Sequence, residues 1–146
     1  MDNRVEKYLL YADDDSDDQE IMRDMIAAID PNLGFVTVDN GIKVLEYLHD
    51  LPADAVYPCF IILDMNMPQF NGIQTLQKLK SDKDLKDIPV VVFSTSSQRI
   101  DIDRSMQSGA HNFITKPIHF AELSRVTAQF SHYCHDLPVQ IRSAKQ

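Results

Sequence analysis

The sequence predicts an α/β fold built on a parallel sheet. Apolar runs of strand length alternate with segments of helical period, as in successive βα units. Two of the runs, Cys59 to Leu63 and Val90 to Phe93, are apolar throughout, as expected of central strands covered on both faces. The chain has 146 residues, enough for one ordinary domain and too few for two substantial ones.

Tyr8-Leu9-Leu10-Tyr11-Ala12 reads as the first strand. Ser16 with Gln19 three residues later is a capping-box pattern, and Ile21, Met22, Met25, Ile26 and Ile29 then share one helical face until Pro31. Phe35 to Val38 is a second strand, Asp39-Asn40-Gly41 a turn and cap, and Val44, Leu45 and Leu48 the buried stripe of a second helix. Pro52 and Pro58 bound a connector. The third strand, Cys59 to Leu63, stops at Asp64, and after the loop Met65 to Gly72 the residues Ile73, Leu76 and Leu79 mark a third helix. Ser81 to Asp87 reads as a surface connector. Pro89 opens the fourth strand, which breaks into Ser94-Thr95-Ser96-Ser97 before a weaker helix with Ile100, Ile102 and Met106, capped by Gly109. Phe113-Ile114-Thr115 is a short fifth strand ending at Lys116-Pro117, and Leu123, Val126, Phe130 and Tyr133 mark the fifth helix. Residues 136–146 read as a tail beyond a domain of residues 1–135.

Composition narrows the function. The chain is 44% hydrophobic and 25% charged, a globular composition, and its 22 acidic against 14 basic residues give a net charge of -8. That charge, with no basic patch, opposes binding to nucleic acid. No apolar stretch approaches the roughly 20 residues of a membrane span, and the charged start lacks a secretory apolar segment. Cys59 and Cys134 form neither a metal spacing nor a disulfide framework, so a reducing cytoplasm is the expected location.

A parallel sheet of this kind binds ligands outside the carboxyl ends of its strands, and the unusual residues fall there. Asp13, Asp14 and Asp15 follow the first strand, Asp64 the third, Ser94 the fourth and Lys116 the fifth. Each alone has an ordinary explanation as a turn, cap or solvated residue. Together they bring complementary chemistry to one crevice. Carboxylates held close together repel unless a cation joins them, and an all-oxygen set suits magnesium, whereas zinc would want His or Cys. A hydroxyl and an ammonium opposite the metal can hold phosphoryl oxygens while a carboxylate acts as nucleophile.

At these residues the chain resembles the receiver domains of two-component response regulators, over roughly residues 6 to 133. The resemblance is carried by Leu10-Tyr11-Ala12-Asp13-Asp14-Asp15, by Ile62-Leu63-Asp64-Met65-Asn66-Met67-Pro68 with Asn71-Gly72, by the strand from Pro89 to Ser94, and by Phe113-Ile114-Thr115-Lys116-Pro117. It implies a flavodoxin-like doubly wound sheet of five parallel strands, order 2-1-3-4-5, with five helices. It also implies that Asp64 is the phosphoacceptor, and that Asp14 binds Mg2+ directly with Asp13 nearby or acting through water. The Asn66 backbone carbonyl would complete the metal site. Ser94 matches the switch hydroxyl, Lys116 the family lysine and Phe113 the switch aromatic, while Asn66 and Ser96 occupy the positions that tune phosphoryl lifetime. The Lys116-Pro117 bond would be cis.

Ser94 stands where Thr is frequent, and Asn71-Gly72 replaces the frequent Asp-Gly. The Asp-rich stretch through Asp17 and Asp18 is similar to receivers that include the phytochrome-associated regulators. The resemblance implies a single-domain response regulator, not an enzyme toward external substrates, phosphorylated by a sensor histidine kinase or histidine phosphotransfer protein. Output would be binding of a target protein or onward phosphotransfer, with the face of the fourth helix, fifth strand and fifth helix open to a partner or a second copy of the chain. The alternative is a small Mg-dependent phosphatase with an aspartyl-phosphate intermediate. Haloacid-dehalogenase-type phosphatases, however, normally carry a second Asp where this chain has Asn66, and a flavodoxin would need a phosphate loop where it has three Asp residues.

Overall fold

A computed structural model describes residues 6–67 and 71–143. Pro68, quoted above as part of a motif, lies outside them, as do Met1 to Val5. Five strands and five helices alternate: β1 (Tyr8–Ala12), α1 (Ser16–Ile29), β2 (Gly34–Val38), α2 (Gly41–His49), β3 (Ile61–Asp64), α3 (Gly72–Ser81), β4 (Val90–Ser94), α4 (Arg99–Gln107), β5 (Asn112–Thr115) and α5 (Phe120–Asp136). All strand pairs are parallel, in the order β2-β1-β3-β4-β5, as expected.

Strand periodicity sorts the core into two layers. Leu10, Ala12, Ile61, Leu63, Val90 and Val92 point to one side, where Val44 and Leu48 of α2 and Ile73, Leu76 and Leu79 of α3 cover them. Leu9, Tyr11, Ile62, Val91 and Phe93 point to the other, against Met22 and Ile26 of α1 and Phe130 and Cys134 of α5. Phe130 meets Phe93 edge to face at 5.7 Å between ring centroids. Both faces of β3 and β4 are therefore dry, which is why those runs carry no polar alternation.

Several local expectations need correction. The α1 cap is Asp15, whose carboxylate accepts from the N–H groups of Asp17 and Asp18, while Ser16 is already helical. Two capping residues stand side by side, and the one with the charge favoured at a helix start takes the role. Ile21 and Ile29 are exposed rather than buried, as are Ile100 and Met106 of α4, whose buried residue is Ser105. Gly109 does follow α4 with φ of 106°, the left-handed conformation its position demands. The Lys116-Pro117 bond is trans, not cis, within the small trans preference that an X-Pro amide retains.

Residues 140–142, after α5, pair with residues 54–57. Ile141 bridges Val56 in antiparallel fashion, and the flanking N–H groups of Tyr57, Asp54 and Arg142 donate to the carbonyls of Gln140, Arg142 and Ala55. The Arg142 guanidinium is buried and donates to the carbonyl of Leu48 at 2.7 Å, occupying the negative end of α2. Cys59 and Cys134 are joined in a disulfide with a Cα separation of 5.3 Å, which overturns the reading of two unpaired cysteines. Their 75-residue separation carried no motif; the fold brings the approach to β3 beneath the last turn of α5.

Candidate functional site at the carboxyl ends of the strands

The sheet delivers each candidate residue to one rim. Asp13 leaves β1, Asp64 ends β3, Ser94 ends β4 and Lys116 follows β5. Asp13 and Ser94 are fully buried and Asp64 nearly so, whereas Asp14 and Asn66 are exposed at the mouth. Asp13, Asp14 and Asp64 each present an oxygen within 4.8 Å of the others, an all-carboxylate cluster of the kind a hard divalent cation joins.

Asp13 is the most tightly held member. Its Oδ2 accepts from the Tyr11 hydroxyl at 2.5 Å and from Lys116 Nζ at 2.9 Å, and its Oδ1 accepts from the Asp15 N–H at 3.0 Å. Tyr11 lies two residues earlier on the same strand face, so the period of two brings its ring beneath the carboxylate. Burial, and then the hydrogen bond to Asp13, push the Tyr11 phenol far up, so it remains a donor. Asp64 is freer: its Oδ1 accepts one N–H, from Asn66 at 3.1 Å. Burial raises the Asp64 carboxyl above the ordinary carboxylate range, and the neighbouring charge of Lys116 only partly opposes this.

Lys116 spans the cluster, 3.5 Å from Asp64 and 3.6 Å from Asp18 in addition to its bond to Asp13. Burial by itself would lower the ammonium, but the bond to Asp13 and the charges of Asp64 and Asp18 outweigh it and hold Lys116 above the usual lysine value. Its backbone N–H donates to the Ser94 carbonyl at 2.6 Å, fixing β5 to β4 at the rim.

Glycine decides the geometry behind Asp64. Asn71 caps α3 in a reciprocal capping box with Gln74, and Gly72 then packs so tightly that a Cβ there would stand 2.6 Å from the Asp64 carbonyl oxygen. The pair expected to supply turn chemistry thus also admits close backbone approach.

Ser94 is brought into the group, its Oγ accepting from the Ser96 N–H at 3.1 Å. Phe113 pairs in register with Val92, so it shares the sheet face of Ser94, where it is half-buried against the core. A cleft of about 550 Å3 extends from the cluster toward α4, lined by Asp14, Asn66, Met67, Asp101 and Arg104 among others. Tyr11 and Asp101 have no site role in the sequence pattern, and Asp18 stands there only within an Asp-rich stretch. Tyr11 was recoverable from its spacing to Asp13, whereas Asp18 and Asp101 depend on how α1 and α4 dock.

The response regulator receiver domain model matches residues 9–128. The chain belongs to the receiver domain family. This receiver is 32% identical over 122 residues to the two-component response regulator ORR7 of Oryza sativa subsp. japonica, covering 84% of this chain and 55% of that protein. It therefore spans about half of that relative's length. It is 32% identical over 104 residues to chemotaxis protein CheY1 of Helicobacter pylori, covering 69% of this chain and 81% of that one. Among solved structures, the phosphorylated cyanobacterial phytochrome response regulator RcpA superposes with a TM-score of 0.81 at 30% identity, over 90% of this receiver and 98% of RcpA. The Mn2+-bound form of response regulator Rcp1 shares the fold, with a TM-score of 0.77 at 22% identity over 92% and 99% of the two chains.

Proposed function

We propose that this receiver takes a phosphoryl group onto Asp64 from a phosphohistidine of a sensor kinase or phosphotransfer protein. A free Asp64 carboxylate oxygen attacks phosphorus, the phosphorus-nitrogen bond breaks, and the imidazole leaves with the bond's electron pair. The observation that carries the reading is the convergence of three carboxylate oxygens within 4.8 Å beside the Lys116 ammonium. Asp14, Asp64 and the Asn66 carbonyl would hold Mg2+, with Asp13 nearby. Bound there, the ion would neutralise charge on the phosphoryl oxygens.

Lys116 and the Ser94 hydroxyl are the groups able to take the remaining oxygens through charge-assisted hydrogen bonds. Movement of Ser94 would free space on the face it shares with Phe113, so inward rotation of that ring would pass the event to α4, β5 and α5. That face would take a target protein or a second copy of the chain. The small polar side chains of Asn66 and Ser96 would leave room for the water that ends the signal. The phosphoryl group resides on the protein itself, so no external phosphate ester would be turned over. The receiver unit would occupy residues 1–135, with residues 136–146 following it as a C-terminal segment. A cytoplasmic location fits kinase partnership, and no helix of the described residues is long and apolar enough to cross a membrane.

Incubation with acetyl phosphate and Mg2+ tests the reading. Hydroxylamine-sensitive labelling should appear in the wild type and vanish in Asp64→Asn, a nearly isosteric change. Undiminished labelling of that variant, or sustained hydrolysis of an external phosphate ester, would overturn it.

A further inference from the structure

Ser96 lies two residues beyond Ser94, in the loop that enters α4, and four hydrogen bonds hold it. Its N–H donates to Ser94 Oγ at 3.1 Å, and its hydroxyl donates to Asp101 Oδ2 at 2.5 Å. The same hydroxyl accepts from the Gln98 N–H at 3.2 Å, and the Ser96 carbonyl accepts from Thr115 Oγ1 at 3.1 Å. Asp101 stands in the first turn of α4, whose capping residue Gln98 provides no side-chain cap. The carboxylate therefore grips the loop from within the helix. A carboxylate acceptor makes the Ser96 bond charge-assisted and stronger than a neutral one.

The chain of contacts runs from Ser94 through Ser96 to Asp101. Ser94 is fully buried and its Oγ is engaged by the Ser96 N–H, so turning the hydroxyl toward Asp64 breaks that contact or carries Ser96 along. Carrying Ser96 along stretches its bond to Asp101. We infer that Asp101 is a positioning residue for phosphoryl acceptance: by gripping Ser96 it holds the Ser94 hydroxyl in its resting place. It thereby sets the balance between the resting and the phosphoryl-accepting arrangement of the loop between β4 and α4. This rests on the reading of Asp64 as acceptor and Ser94 as the hydroxyl that meets the phosphoryl group. The accepting arrangement is a minor population, and the labelling rate scales with its fraction.

The experiment compares initial rates of labelling by acetyl phosphate in saturating Mg2+ for wild type, Asp101→Ala, Asp101→Asn, Ser96→Ala and the Ser96→Ala, Asp101→Ala double variant. Each alanine variant should label about tenfold faster, the loss of one charge-assisted bond to the resting state. The double variant should be no faster than either single one, because both changes cut the same link. Asp101→Asn should stay within about twofold of wild type, since an amide oxygen still accepts from a hydroxyl. Wild-type rates in the alanine variants, or additive effects, would overturn the inference. So would an Asn variant as fast as the Ala variant, which would assign the effect to charge at the helix end. Ser96→Ala leaves every charge in α4 untouched, and Ser96→Thr, which keeps a hydroxyl for both Asp101 and the Gln98 N–H, should stay near the wild-type rate; a Ser96→Thr variant as fast as Ser96→Ala would overturn the inference even should Asp101→Ala fail to fold. Absent labelling of the wild type, or labelling that survives Asp64→Asn, would instead overturn the functional reading.

Discussion

Lys116 makes its shortest ion pair with Asp13, at 2.9 Å, and stands 3.5 Å from Asp64. Lys116 is thus anchored to the first strand, beside Asp64 instead of upon it. Asp64 accepts one backbone N–H, from Asn66, and its charge is partly balanced by Lys116.

Replacing that cation should separate two of its effects. In Lys116→Met the carboxylates lose their internal counter-charge, so stability without divalent metal should fall by about 3 kcal/mol. Mg2+ affinity should rise roughly fivefold, because no ammonium then repels the ion. Denaturant unfolding with and without Mg2+ measures both quantities. A variant that binds the ion more weakly than wild type would show that Lys116 organises the carboxylates rather than competing with the metal.

Gly72→Ala should destabilise the fold by about 2 to 3 kcal/mol. The added methyl would meet the backbone of Asp64 and Met65 at 2.6 and 2.9 Å, and neither can swing aside as a flexible side chain would. Asn71→Ala removes only a cap and should cost about 1 kcal/mol. Equal losses in the two variants, read from thermal unfolding, would refute the steric argument.

The disulfide closes a loop across 75 positions, for which chain entropy gives an upper stabilisation of about 4.5 kcal/mol. Reductant should therefore lower the unfolding midpoint of the wild type and leave a Cys59→Ala, Cys134→Ala variant unchanged. Mass spectrometry after thiol blocking in denaturant without reductant reads the state directly, and quantitative labelling of both thiols would contradict a closed bridge.

Asp30, the C-cap of α1, pins α5 by accepting from Ser131 Oγ at 2.8 Å and from His135. Burial would raise its carboxyl, but the bonds from His135 and Ser131 prevail and hold it below the usual range. The unfolded chain then takes up the proton at a higher pH than the folded one. The resulting stability is fully present above a pH of about 3.9 and is lost as pH falls through the folded value. Asp30→Asn should cost about 1 to 2 kcal/mol at neutral pH, with the deficit shrinking below pH of about 4. A deficit that persists unchanged in acid would place the effect in packing.

Where hydrophobic pattern dictates structure, the sequence was readable. Val90 to Phe93 could only be a strand covered on both faces, and Asp64 and Ser94 were visible as polar residues that abruptly end such runs. What escaped depends on contacts between distant segments. Asp15 and Ser16 both have capping chemistry, and only the docked helix selects between them. Neither the closure of Cys59 on Cys134 nor the burial of Arg142 has a periodic signature. Asp101 reads as one more solvated acid until α4 sets it against Ser96.

The pairing of residues 140–142 with residues 54–57 places the end of the described chain beneath the sheet, at the pole opposite Asp64. An immobilisation linker or fluorescent reporter attached at residue 143 would therefore project away from the rim that carries Asp64, leaving it open to a docking partner in surface-based or energy-transfer assays. A reporter inserted in the loop between β5 and α5, where Ile118 is exposed just ahead of the exposed Phe120 of α5, would sit instead beside Lys116.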